Sequence, residues 1–277
     1  MVRKQLVLWV VFAACNATAP TTPIANTGGQ QISVVPDGWV AIEPDEERLR
    51  CANYANDEYA VTVRGGLTFA EKKQHEPDTG PALSFTPKTS GVRGRRHVLA
   101  VADGFLVGFD AGEWGGSLWW YSKDGAQSVK LADENVHGLV AMGPDLVGSI
   151  EGLSHMGTSE GSVRWIEHGA AWKSGALTVL DAGPSTYVAA SDAIYVLTTK
   201  SLVRMGKDRK AVVIQPVKTA SMYPDSMAID AAGELWIGMR QFVVRMTPAG
   251  AMYKTTWLVR DSCVRAAVRD LRCVCAR

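Results

Sequence analysis

The sequence predicts an all-β protein, and within that class a six-bladed β-propeller, from three observations. Glycine and aromatic residues are abundant, with 27 Gly and nine Trp among 277 residues. Pairs of short apolar strands recur about every 40 residues, and an incomplete unit stands at each end of the repeat. Hydrophobic residues make up 47% of the chain and charged residues 21%, so a packed core can form and global disorder is excluded.

Residues 1–14 form a predicted secretory signal peptide. Arg3 and Lys4 precede an uncharged apolar run from Leu6 to Ala14. That run is too short to span a bilayer, which takes about 20 residues. A basic start followed by a short apolar stretch is instead typical of export signals.

The end of this run resembles the lipobox of bacterial lipoproteins. Two small residues, Ala13 and Ala14, precede Cys15, and Phe12 stands where the pattern favours Leu. The resemblance implies cleavage before Cys15 and lipidation of that cysteine, and Asn16 is compatible with sorting to the outer membrane. Ordinary signal-peptidase cleavage nearby is the alternative.

Residues 15–31 are rich in Thr, Pro, Ala, Asn, Gly and Gln and show no apolar period. This composition predicts a flexible tether, which the propeller domain follows over residues 32–277. We therefore expect an exported protein that a lipid anchors in the bacterial periplasm, at the outer membrane.

The cysteine count fits an exported domain. The chain has five cysteines, and lipidation of Cys15 leaves four, which predict two disulfides; these four are Cys51, Cys263, Cys273 and Cys275. A bond between Cys273 and Cys275, on one face of a predicted strand, would be strained. Each is therefore expected to pair with Cys51 or Cys263, in either combination. A zinc site is less favoured because a single residue separates Cys273 from Cys275.

Six apolar strand pairs define the repeat. The residues that open their second strands are spaced 39, 40, 49, 40 and 38 apart, and they are Leu67, Leu106, Leu146, Tyr195, Leu235 and Cys273. A period near 40 residues with about four short strands per unit is the signature of a propeller blade. Helical repeats are disfavoured because no unit carries a 3.6-residue apolar stripe.

Each end of the repeat supplies half a unit. Residues 264–277 form a predicted strand pair with no third or fourth strand, whereas residues 32–43 read as two short strands around a Pro-Asp-Gly turn. Pairing these two segments completes one blade and removes two exposed sheet edges. Five continuous blades and one composite blade give the predicted total of six.

One unit carries a recognisable motif. Residues 230–238, with the sequence DAAGELWIG, resemble the D-x-x-G-x-L-W-I-G core of two-component-regulator-type propeller repeats, and more loosely that of NHL-type repeats. The resemblance covers about residues 57–277. It implies a repeat architecture and no particular activity, because propellers host many functions.

The candidate site lies at one mouth of the expected central channel. His97 and His137 each stand nine residues before a leucine that opens a second strand, so both are placed at the start of an innermost strand. The loops after the second strands return to the same face. Their polar and aromatic residues are Asp110, Glu113, Trp114, Glu151 and His155. Arg240 stands in the corresponding place of a later unit. Such side chains suit a cation, a polar ligand or a protein partner. The alternative is that the histidines hydrogen-bond between blades.

The net charge and the catalytic motifs that are absent exclude some classes of function. A formal net charge of +1 gives no electrostatic footprint for nucleic acid, and the sequence contains no H-E-x-x-H or P-loop motif. We expect a non-enzymatic envelope lipoprotein, without a cofactor, that binds a protein partner or ligand. A neutralising, immunity-type partner of an exported toxin or hydrolase is one version. The alternatives are a lactonase-like, metal-dependent propeller hydrolase or lyase with a divalent cation at the channel mouth, and a sensor domain.

Overall fold

The structure is a computed structural model that describes residues 35–73, 78–87, 94–155 and 157–266. Within these ranges the protein is all-β, with 19 strands and two short α-helices. None of the helices described there is long and apolar enough to cross a membrane. The predicted signal peptide, the whole predicted tether with Cys15, residues 32–34 of the first closing segment and residues 267–277 of the second, including Cys273 and Cys275, lie outside the described residues.

Four antiparallel sheets follow one another along the described chain, and each is a meander whose strands pair in sequence order. They are preceded by β1 (Trp39–Ile42), α1 (Glu46–Ala52) and a hairpin of β2 (Tyr59–Arg64) and β3 (Leu67–Lys72). Sheet I contains β4 (Arg95–Val101), β5 (Gly104–Asp110), β6 (Gly116–Ser122) and β7 (Ser128–Ala132). Sheet II contains β8 (Val136–Gly143), β9 (Leu146–His155), β10 (Thr158–His168) and β11 (Trp172–Val179).

Sheet III contains β12 (Pro184–Ala189), β13 (Ala193–Thr198), β14 (Ser201–Gly206) and β15 (Ala211–Pro216). Sheet IV contains β16 (Ser226–Ile229), β17 (Leu235–Gly238), β18 (Phe242–Ala249) and β19 (Met252–Arg260), and α2 (Asp261–Ala266) follows it. Two single-turn 3₁₀ helices, Gly112–Trp114 and Ala220–Met222, stand ahead of β6 and β16.

The core lies between neighbouring sheets. Buried clusters combine side chains of both sheets at each interface: Leu106 and Val147 between sheets I and II, Trp165 and Ile194 between sheets II and III, and Leu202 and Leu235 between sheets III and IV. Middle strands are therefore buried on both faces, and all four residues of β17 are buried. This double burial explains the near-continuous apolar runs of the sequence.

The D-x-x-G-x-L-W motif builds the turn between β16 and β17. The backbone N–H groups of Ala232 and Glu234 donate to Asp230 Oδ1 at 2.9 and 3.0 Å, and Gly233 supplies the positive φ of 77° that the turn requires. The indole N–H of Trp236 donates to Asp230 Oδ2 at 3.1 Å. The motif thus fixes a fully buried ring and acts as a structural element.

The N-terminal strand joins the C-terminal sheet, but one strand earlier than predicted. β1 lies antiparallel to β19, from Trp39 opposite Arg260 to Ile42 opposite Trp257, and is the fifth strand of sheet IV. Residues 264–266, which we expected to begin a strand pair, end α2 instead, and residues 267–277 lie outside the described chain. Without β1, the outer edge of β19 would expose unpaired backbone N–H and C=O groups, and β1 pairs with that edge,.

The propeller prediction is supported at the level of successive four-stranded antiparallel sheets. The first predicted unit contributes the hairpin β2–β3, which packs beside β16 and β17, and its described residues contain no further strand. The total of six blades and the closure of the ring stay predictions.

Candidate functional site

A cavity of about 650 Å³ opens at the end of the sheets where first strands begin and second strands finish. We call it the mouth cavity. All four sheets and the residue ahead of the hairpin contribute to its wall. The contributing positions are Glu58 ahead of β2, residues 110–114 from the last residue of β5 onward, residues 153–155 at the end of β9, Pro184 in β12 and Arg240 after β17. Because each unit of the repeat delivers one strand end to it, the cavity follows directly from the architecture.

The mouth cavity contains most of the side chains that the sequence singled out. Five of the seven line its wall, and these are Asp110, Glu113, Trp114, His137 and His155. His97 and Glu151 do not line it, and they are only 3% and 1% exposed. Arg240 also belongs to the wall.

His137 is fixed through both ring nitrogens. Its Nδ1 lies 3.2 Å from Asp110 Oδ2, and its Nε2 lies 3.1 Å from the carbonyl oxygen of Gly152. Asp110 is held in turn, because the backbone N–H of Gly112 donates to its Oδ1 at 2.9 Å. Sheets I and II are thereby joined at the rim by an acid–imidazole pair whose geometry is set by the backbone.

A second acid–imidazole pair stands beside the first. His155 Nδ1 lies 3.1 Å from Glu113 Oε2, and both side chains are about half exposed. Glu113 and Trp114 belong to the 3₁₀ turn Gly112–Trp114, which two glycines with positive φ, Gly112 and Gly115, make accessible,. The turn leaves the Trp114 side chain 76% exposed at the cavity rim.

The structure places His97 and His137 in different surroundings. β4 pairs with β5 without interruption, so His97 lies opposite Gly108, whereas register shifts interrupt the pairing of β8 with β9 at His137. His97 Nδ1 lies 2.9 Å from the hydroxyl of Thr79, and burial, with help from nearby Arg95, lowers the His97 pKa to about 4. His97 is therefore buried and hydrogen-bonded to Thr79, which belongs to the preceding unit.

Glu151 is also structural. Arg164 Nε donates to both carboxylate oxygens of Glu151, at 3.0 and 2.9 Å, and the pair joins β9 to β10. Burial raises the pKa of Glu151 to about 7 even though Arg164 favours the charged form. The carboxyl group is thus enclosed within sheet II.

Sheet IV and the hairpin complete the wall with residues that sequence reasoning partly missed. Arg240 Nε donates to Glu58 Oε1 at 2.8 Å, and Nη1 donates to the carbonyl of Asn53 at 2.7 Å. The same guanidinium lies over the ring of Tyr223, 4.0 Å from its centroid. Tyr223 has a positive φ of 51°, although it remains 55% exposed.

A further ion pair closes this side of the wall. Lys73 Nζ lies 2.6 Å from Asp225 Oδ2, and both side chains are 12% exposed. Burial raises the pKa of Asp225, and the Lys73 ammonium opposes that shift. Glu58 and Asp225 each stand just before the first strand of a unit, and that repeated position is the sequence signal that identifies them.

The hydrolase or lyase alternative predicts side chains at the mouth that bind a divalent cation. Within the described ranges there is no group of three or more His, Cys, Asp or Glu side chains that could hold a metal ion. The carboxylates of the described wall are instead matched with basic side chains, in the pairs given above.

Comparison with known proteins gives weak structural likenesses. No family model matches the chain, and no curated protein matches it. Among solved structures, apo AztD from Citrobacter koseri is 12% identical over 59% of this chain and 46% of that one, with a TM-score of 0.37. A gluconolactonase from Xanthomonas campestris is 11% identical over 64% of this chain and 60% of that one, with a TM-score of 0.39.

A catalytically inactive virginiamycin B lyase from Staphylococcus aureus is 12% identical over 78% of this chain and 87% of that one, with a TM-score of 0.34. The chain thus spans about half of the AztD structure and three fifths of the gluconolactonase structure. At TM-scores below 0.5, these likenesses assign neither an activity nor a ligand to this chain.

Proposed function

We propose that this protein is a non-enzymatic binding module of the bacterial cell envelope, with a six-bladed propeller that binds through the mouth cavity. Its export, its outer-membrane location and its lipid anchor at Cys15 rest on the N-terminal sequence. The partner is a protein or a smaller ligand rather than nucleic acid, and a neutralising partner of an exported toxin or hydrolase is one version of this role. Two disulfides among Cys51, Cys263, Cys273 and Cys275 belong to the proposal. Thiol titration of the denatured, unreduced mature protein is expected to find no free thiol beyond any at Cys15, and four free thiols would contradict the disulfides.

The observation that carries the proposal is the exposure of large aromatic side chains at one cavity. Trp114 is 76% and Tyr223 55% exposed, and both line the mouth cavity. Exposed aromatic side chains gathered at a concave site are typical of binding surfaces, where Trp and Tyr act as anchors. The binding role rests on these rings, because acid–imidazole pairs occur in catalytic sites as well as in structural ones.

Affinity capture tests the proposal. Full-length anchored protein, extracted from the membrane, is used to capture components of its own envelope extract, alongside Trp114→Ala and a matched control, Tyr54→Ala. Tyr54 is 75% exposed but does not line the cavity. We expect Trp114→Ala to lose the captured component and Tyr54→Ala to keep it, with unchanged thermal unfolding. Equal capture by both variants would contradict binding through the mouth.

A further inference from the structure

One of the two exposed aromatic rings of the mouth cavity, that of Tyr223, is held in place before any ligand arrives. Tyr223 adopts a left-handed backbone conformation with φ of 51°, which costs free energy for a bulky residue. Arg240 lies over one face of its ring at 4.0 Å, and Arg240 is itself held by Glu58 and the Asn53 carbonyl. Tyr223 therefore presents a fixed aromatic surface, and such preorganisation lowers the entropy cost of binding.

The wall carries charges of both signs, because Arg95 and Arg240 line the cavity together with four carboxylates. Each carboxylate among the described wall residues lies close to a basic side chain: Glu58 to Arg240, Asp110 to His137, Glu113 to His155 and Asp225 to Lys73. A cationic ligand has to approach the guanidinium groups of Arg95 and Arg240. An anionic ligand has to approach four carboxylates. The arrangement therefore favours a neutral ligand.

The same pairs offer alternating hydrogen-bond donors and acceptors around the rim. Carboxylate oxygens have lone pairs beyond the one that each uses in its pair, and the Arg240 guanidinium has N–H groups beyond the two donated to Glu58 and Asn53,. A ligand that carries many hydroxyl groups supplies both partners at each point. The faces of the rings, with their negative quadrupole, suit an apolar surface whose C–H groups are slightly positive.

We infer that the mouth cavity binds a neutral saccharide chain, an inference that rests on the proposed binding function. A sugar ring has hydroxyl groups at its edge and C–H groups on its faces, which match the polar rim and the rings of Trp114 and Tyr223. The volume of about 650 Å³ lies within the range of small-molecule sites, about 300–1,000 Å³, and accommodates a short oligosaccharide. A peptide also hydrogen-bonds, but it does not present hydroxyls around an apolar ring face.

Calorimetric titration with matched trisaccharides tests the inference. The neutral probes are tri-N-acetylchitotriose, maltotriose and cellotriose; the cationic probe is deacetylated chitotriose, and the anionic probe is trigalacturonate. We expect binding of at least one neutral probe and weaker binding of both charged probes. Sedimentation with insoluble chitin, starch and cellulose then distinguishes a polymeric glycan from a free oligosaccharide.

Two variants and a control locate the binding. Trp114→Ala and Tyr223→Asn, in which Asn tolerates the left-handed backbone, are each expected to weaken neutral binding about tenfold, whereas Tyr54→Ala leaves it unchanged. Tighter binding of a charged probe, or neutral binding that neither mouth variant weakens, overturns the inference.

The capture experiment separates the two claims. If no neutral trisaccharide binds but a protease-sensitive component is captured in a Trp114-dependent way, the saccharide inference fails and the proposed binding function stands. If capture is also independent of Trp114, both fail.

Discussion

Glu151 is a carboxyl group on which burial and an arginine act in opposite directions. It is 1% exposed, and the Arg164 Nε hydrogen bonds at 3.0 and 2.9 Å favour its charged form. Burial has the larger effect and raises the pKa to about 7. Such a group links folding to pH, because its proton affinity differs between the folded and unfolded states.

Glu151→Gln is expected to change the pH dependence of stability with a defined sign. The folded pKa of about 7 lies above the ordinary 4.5, so between these values the folded state keeps a proton that the unfolded state releases. Wild-type protein therefore loses the contribution of Glu151 as pH rises through this window. Relative to wild type, the stability of the variant is expected to rise from pH 4.5 to 7, by on the order of 3 kcal/mol.

Urea denaturation at both ends of that window measures the difference. The lowered pKa of His97 acts in the opposite direction but is common to both proteins, so the difference isolates Glu151. Glu160→Gln, on the same sheet at an exposed position, is the matched control and should show no such trend. A difference between Glu151→Gln and wild type that stays constant with pH contradicts the account.

At the scale of elements, strand pairs were predictable and their irregularities were not. β5, β13 and β17 match predicted second strands because burial on both faces leaves a continuous apolar run in the sequence,. The register shifts in β8 leave no compositional signal, since a bulge depends on the partner strand. For this reason His97 and His137 stand at the same distance from a second strand in the sequence, but their side chains have different neighbours in the structure.

Gly138→Ala tests the packing of innermost strands between sheets II and III. A Cβ added at Gly138 in β8 would lie 2.1 Å from ring atoms of Tyr187 in β12, so the variant is expected to lose about 1–3 kcal/mol of stability. Gly143→Ala, in the same strand, meets nothing within 4 Å and serves as the control in thermal or urea unfolding. Equal stability of the two variants would mean that β8 and β12 do not approach as described.

At the scale of the whole molecule, the sequence placed loop ends at a common face but gave no distances between units. The repeat was enough to place Asp110, Glu113, Trp114, His137 and His155 on one face, because equivalent loops of a repeat emerge on one side. The same reasoning also placed His97 and Glu151 there, and both are buried. It did not reveal that Arg240 pairs with Glu58 across 182 positions of the chain. Such pairs depend on how the first and last described units meet, which local patterns do not encode.

Site-specific photo-crosslinking in the native envelope tests most directly the claim that the protein binds through its mouth cavity. A photoreactive residue replaces Ser185, which lines the cavity, or Val212, which is 53% exposed on the outer strand β15. The account predicts a crosslinked adduct, to glycan or protein, from position 185 and none from position 212. An adduct from position 212 together with none from position 185 would contradict it and move the binding surface to the outer edge of the sheets.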